Sequence, residues 1–267
     1  MGTTRPALLG LLLAFTLAGP VASQSPYDTP RPLGGPIVGL DGKIMTGLDR
    51  QVSPWSGGID FGLNGSQGNV DILKVRSGLD VKYDDPADYF TFNAVYVVTR
   101  YQDDTIEQKA LASARNEVYF DRAWAWYAQG ALEYDEFLNV DFLLGAHNGL
   151  SFTAYNANNT RLKLRAGLGT AWQYGGLIDE WVPEAQFGGD LDYALTARTK
   201  ISLAADWFPE MRNFARYRVR GRASLDVLLD QELNILMRVG VLDRFNQPRF
   251  GVKANDLDYF LTIVFGF

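Results

Sequence analysis

The sequence has no cysteine and a single histidine, His147. The first absence excludes a disulfide framework, a thiolate metal site and a cysteine nucleophile. The second excludes any metal centre built on several imidazoles. No strongly basic domain stands out, and the formal net charge of -6 argues against a nucleic-acid partner. Long apolar runs are also missing. Beyond residue 23 nothing approaches the roughly 18 consecutive apolar residues of a spanning helix, so any insertion into a bilayer must use β-structure. No motif implies a cofactor or a bound metal.

What the chain does have is alternation. Asp256 to Phe267 reads DLDYFLTIVFGF, with Tyr259, Leu261, Ile263, Phe265 and Phe267 at every second position and Asp258, Thr262 and Gly266 between them. That is a strand with one apolar face. On a soluble sheet such a strand would be an aggregation-prone edge, whereas in a barrel it pairs with the first strand and meets hydrocarbon. Its terminal pattern is also the kind of signal that barrel-assembly machinery reads.

The other end of the chain is different in character. Arg5, the apolar run Ala7 to Ala18 and the small residues Val21-Ala22-Ser23 predict a secretory signal over residues 1–23. Residues 24–54 are rich in Pro and Gly and predict an extended periplasmic segment, with room for a short strand over Ile44 to Leu48. Residues 55–267 then alternate almost without a break.

Leu73, Val75, Leu79, Val81 and Tyr83 stand against Lys74, Arg76, Asp80 and Lys82. Leu162, Leu164, Ala166, Leu168, Trp172 and Tyr174 stand against Arg161, Lys163, Arg165 and Gln173. About twelve such strands follow one another, the even number expected of an all-β, antiparallel, up-and-down transmembrane barrel in the bacterial outer membrane. Short joints such as Asp84 to Asp88 and Asn156 to Asn159 predict periplasmic turns. Gln102 to Gln108, Asp135 to Asp141, Gly175 to Val182, Pro209 to Ala215 and Asp243 to Asn255 predict longer outer loops. Asn148-Gly149 inside the sixth strand fits either a continuous strand or a turn or bulge. Aromatics toward strand ends, among them Trp55, Trp124, Trp172 and Trp207, suit interfacial girdles, so the alternative of a soluble secreted β-sandwich binding protein loses ground.

Several segments resemble a known family. Trp55 opens a strand into GLNGSQGNVD (Gly62 to Asp71), RLKLRAGLGTAWQY fills Arg161 to Tyr174, and Asp206-Trp207-Phe208-Pro209 precedes an outer loop. Over Trp55 to Phe267 these features are similar to the YdiY-like family of salt-induced outer-membrane proteins, a group whose domain has no assigned function. The resemblance implies the location and the fold, and it brings no catalytic residues.

The sharpest chemical feature is a cationic ladder, Arg216, Arg218, Arg220 and Arg222, on one face of the tenth strand. In a lumen it would either draw small anionic solutes through a narrow pore or pair with carboxylates and fill the barrel. Asp190, Asp192, Asp206 and Asp226 are the acidic partners expected, with Glu184 also within reach. Arg161, Lys163 and Arg165 should pair with the acidic strand that follows them. An outer-membrane lipid hydrolase is the enzymatic alternative. It would need His147, Ser151 and Asn148 in mutual reach, but four residues along a strand set His147 and Ser151 too far apart. The expectation is a non-enzymatic, monomeric barrel in outer-membrane lipid, structural or weakly pore-forming and anion-favouring if it conducts.

Overall fold

The computed structural model describes residues 54–66, 71–102, 104–136, 142–157, 159–175, 179–247 and 254–267. The predicted signal over 1–23 and the segment before Pro54, with its Ile44 to Leu48 strand, lie outside the described residues.

Alternation becomes twelve strands: β1 (Trp55–Ser66), β2 (Ile72–Asp84), β3 (Asp88–Tyr101), β4 (Asp104–Tyr119), β5 (Trp124–Asp135), β6 (Phe142–Ala157), β7 (Thr160–Tyr174), β8 (Glu180–Thr196), β9 (Thr199–Glu210), β10 (Asn213–Asp230), β11 (Ile235–Asn246) and β12 (Asn255–Gly266). Each pairs antiparallel with the next, and β12 returns to β1, so the sheet is a closed barrel. Because side chains alternate, one residue parity on every strand points inward and the other outward.

Burial is inverted relative to a water-soluble domain. Phe61, Leu164, Leu168, Trp126, Leu225 and Phe265 are exposed on the outside, while Arg165, Lys163, Glu117, Glu184, Asp226 and Arg238 are buried inside. A continuous apolar exterior of this size requires hydrocarbon as its solvent. Closure leaves the barrel no outer edge strands, which is what allows a sheet to sit in lipid.

Aromatic contacts gather at both ends of this wall. Trp55 and Tyr83 lie 4.9 Å apart and Trp124 and Phe152 4.7 Å apart at the end where β1 begins. Trp172 stacks on Trp181 at 5.6 Å and Tyr217 on Phe245 at 5.4 Å at the opposite, outer end. Such rings fit the two interfaces of a bilayer.

Four expected outer loops need correction. Most of Gln102 to Gln108 is strand: β4 starts at Asp104, and Gln102 makes the turn with φ of 54°. Pro209 to Ala215 is likewise strand apart from the tight turn at Met211 and Arg212. The strands at Glu180 and at Asp243 to Asn246 also run further than expected. The common reason is length. The strands hold 12 to 18 residues, more than the ~9–11 needed to cross the hydrocarbon, so they continue as polar strand above it. Polarity there marks the end of the lipid, not the end of the strand.

Asn148-Gly149 is neither turn nor bulge. Gly149 pairs with Gly167 in mid-strand, and a Cβ on Gly167 would stand 2.3 Å from the Tyr127 hydroxyl. Gly167 thus makes room for the hydroxyl of Tyr127, which is fully buried inside the barrel, and Gly149 lets the β7 backbone approach, since a Cβ there would stand 2.2 Å from the Ala166 carbonyl oxygen.

Candidate functional site

The inward parity of nearly every strand carries ionisable groups, and they meet in the middle. On β10 the register places Arg218, Arg220 and Arg222 on one inward row. Arg218 donates from Nε and Nη2 to both carboxylate oxygens of Glu184, at 3.0 and 2.6 Å. Arg220 grips Glu133 in the same forked way at 2.6 and 2.7 Å, and its remaining Nη1 donates to the Val219 and Phe245 carbonyls. Arg222 donates to Asn93 at 2.8 Å and reaches Asp80 at 3.5 Å. Arg216 differs from the other three: its side chain is 48% exposed and lies 3.6 Å from Glu210 at the outer rim. The ladder is therefore three inward guanidiniums with partners, of which Arg218 is buried, and one cation at the mouth.

Of the acidic residues singled out in the sequence, Glu184 meets this ladder as expected, and the four aspartates have other partners. Asp226 accepts a fork from Arg238 on the neighbouring β11 at 2.8 and 3.1 Å. Asp206 accepts from Arg165 and from Gln186, both at 3.0 Å. Asp190 lies between Arg165 and Arg115, and Asp192 accepts from Ser202 and pairs with Lys200. The expected self-neutralising patch on β7 and β8 holds only for Arg165. Lys163 instead donates to Glu117 at 2.6 Å and Arg161 to Asp84 at 3.1 Å, each across the barrel.

Glu133, Asp80, Glu117, Arg238 and Arg244 are the site residues that sequence reasoning missed. Parity alone puts them inside, opposite lipid-facing neighbours such as Leu132, Leu79 and Val239. What parity lacks is reach: Arg238 bonds Asp80 from 158 residues away, a contact created by closure of the sheet.

Taken together, the ion-paired side chains within the barrel balance. Among the described residues Lys74, Arg76, Lys82, Lys109, Arg115, Arg161, Lys163, Arg165, Lys200, Arg218, Arg220, Arg222, Arg238 and Arg244 pair with Asp60, Asp80, Asp84, Glu107, Glu117, Glu133, Asp135, Glu184, Asp190, Asp192, Asp206, Asp226, Asp256 and Asp258, fourteen of each sign. Many are nearly inaccessible, with side-chain exposures of 0% for Arg165 and Glu117. Arg–carboxylate forks give such pairs fixed geometry as well as strength.

His147 and Ser151 both face this interior. His147 lies 3.3 Å from Glu184 and packs on Phe208. Ser151 donates to Glu117 at 3.5 Å. The two are thus drawn to different carboxylates. No group of three or more His, Asp or Glu suited to a metal ion occurs among the described residues.

A closed, even-stranded antiparallel barrel with an apolar exterior and a salt-bridged interior is an outer-membrane β-barrel, and its location is the bacterial outer membrane. The chain belongs to the family described as protein of unknown function, DUF481, whose model matches residues 59–267. Among solved structures the barrel is similar to the NanC porin, at 10% identity and a TM-score of 0.44, over 79% of this chain and 97% of that one. It is also similar to the KdgM porin, solved with disordered oligogalacturonate, at 11% identity and 0.40, over 78% and 96%. A third likeness is to the outer-membrane channel DcaP of Acinetobacter baumannii, at 10% identity and 0.38, over 80% and 95%. No curated protein matches the sequence.

Proposed function

We propose that this protein is a structural outer-membrane barrel whose lumen is closed by its own ion pairs. The observation that carries the reading is the pairing itself: the inward arginines that could attract a solute are already forked onto Glu184 and Glu133, and the paired interior sums to neutrality. A track for anions needs cations with free donors and room beside them. The same disposition supports a non-enzymatic role, since Ser151 and His147 are held by separate carboxylates. In this reading the protein works as a monomer in outer-membrane lipid, placed there by barrel-assembly machinery that reads Tyr259, Leu261, Ile263, Phe265 and Phe267.

A narrow, anion-favouring pore is the second reading, favoured by Arg216, half exposed at the outer rim, and by Arg222, 29% exposed inside. Planar-bilayer conductance separates the two. A closed barrel gives no steady current, and the double variant Arg218→Ala with Arg220→Ala uncovers Glu184 and Glu133 and produces a cation-selective leak. A steady anion-selective current in the unaltered protein, lost in that double variant, establishes the pore instead.

A further inference from the structure

The wall of the barrel is not uniform at the junction of β1 and β12. On its other side β1 pairs with β2 along its whole length, from Trp55↔Tyr83 to Ser66↔Ile72. Likewise β12 pairs with β11 from Phe265↔Ile235 up to Asn255↔Phe245. Between β1 and β12 the ladder covers only Gly58↔Gly266 to Phe61↔Ile263, extended downward by the reciprocal Gly57 and Phe267 backbone bonds of 3.2 and 3.0 Å. Those reciprocal bonds fix the phase: in an antiparallel pair every second residue turns its N–H and C=O toward the neighbour. Continuing upward, Leu63 and Gly65 on β1 and Leu261 and Tyr259 on β12 face the seam without ladder partners.

The ladder stops there, while the strands still touch at its last rung. Gly62 still lies close to β12, since a Cβ on it would be 2.9 Å from the Leu261 carbonyl oxygen. Just above, Leu63 and Tyr259 are 76% and 80% accessible, the largest values among the exposed large apolar side chains of the described residues. This stretch of β12 is level with Val239 and Val241 on β11, both outward and apolar, so the end of the ladder lies at lipid depth. Unpaired backbone at that depth is costly unless something polar answers it.

Behind the seam, at the outer mouth, lies the least buried charge of this part of the lumen. Lys74 and Asp256 are 33% and 38% exposed, and Lys74 lies 3.5 Å from Asp258. Lys74 also pairs with Glu107 at 3.1 Å, and Asp256 with Lys109 at 2.8 Å and with Arg244, so a ligand bound here exchanges with these contacts beside the apolar side chains of the seam.

We propose that the upper β1–β12 seam is a lateral binding site for a zwitterionic lipid. Its phosphate sits at Lys74, its ammonium at Asp256 and Asp258, and its acyl chain lies between Leu63 and Tyr259 against Leu261. The site is independent of whether the central lumen conducts, since it opens to the membrane and not along the barrel axis.

The test uses the full barrel in nanodiscs of mixed phosphatidylethanolamine and phosphatidylglycerol, with lipid retention read by native mass spectrometry. Leu63→Cys with Leu261→Cys places the only two thiols of the chain across the seam. The reduced form keeps bound phosphatidylethanolamine, oxidation to the disulfide lowers retention about tenfold, and reduction restores it. Equal retention in the oxidised and reduced forms overturns the site, and equal retention of phosphatidylglycerol overturns the head-group assignment. Lys74→Gln leaves the seam intact and should also release the lipid; unchanged retention counts against the proposal. Amide exchange gives a second readout without mutation. The Leu63 and Tyr259 amides exchange faster than those of Ile59 and Phe265, and equal protection would mean the seam is closed.

Discussion

Two groups of charge inside the same barrel are held in different ways. Around β10 and β11 the cations are arginines, and Arg218, Arg220 and Arg238 each bind a carboxylate through two nitrogens while nearly or largely buried. At the outer mouth two lysines stand beside Arg244. Lys74 and Lys109 make single contacts of 2.8 to 3.6 Å with Glu107, Asp256 and Asp258, some of them a third exposed. The guanidinium is a rigid fork and the ammonium a mobile point charge. The first group fixes strand positions across the barrel, and the second can exchange partners.

If that contrast is right, the effects of substitution should fall steeply from one group to the other. The largest belongs to Glu184→Ala, which leaves Arg218 buried without its carboxylate and takes the partner from His147 as well. Urea unfolding in lipid vesicles should show a loss of about 3–5 kcal/mol. Asp80→Asn comes next, since Asp80 serves both Arg238 and Arg222 but leaves Arg238 its fork on Asp226. The same measurement should show about 1.5–3 kcal/mol. Lys74→Ala should cost no more than about 1 kcal/mol, and that difference should shrink as salt is raised. Arg216→Ala, at the rim, should lie within about 0.5 kcal/mol of the unaltered barrel. A Lys74 effect as large as that of Glu184 would erase the distinction between the two groups.

Much of this architecture can be read from residue order, for a physical reason. A strand in a barrel wall sits between two unlike solvents, lipid and a polar interior, so its period-two pattern is strong. Leu162 to Tyr174 against Arg161 to Gln173 is β7 almost to the residue. The pattern fades where the lipid ends, which is why Thr105 to Gln108 read as loop although Thr99 donates to Glu107 at 2.5 Å in a continuing sheet. Partner choice in the lumen was legible for Arg218 with Glu184 and Arg165 with Asp190, and elsewhere only by sign. Asp206 and Asp226 are near the Arg ladder in the strand register, yet Arg165 and Arg238 hold them, while Glu133 comes from β5 across the barrel. Which inward groups meet depends on the stagger at which the sheet closes, and no local pattern encodes that stagger. The close approach of Tyr127 to Gly167 is hidden for the same reason.

The bonds between Gly57 and Phe267 also bear on how the barrel comes into being. Every other strand pairing here joins neighbours in sequence through a turn or loop, and each can form as a hairpin. The β1–β12 pairing alone unites strands from opposite ends of the sheet, so its closure entropy is the largest and is spent last. Until then the curled sheet has two bare edges and an apolar face. The time between the last hairpin and the first bond from Gly57 to Phe267 is when the chain is most exposed to pairing with something else.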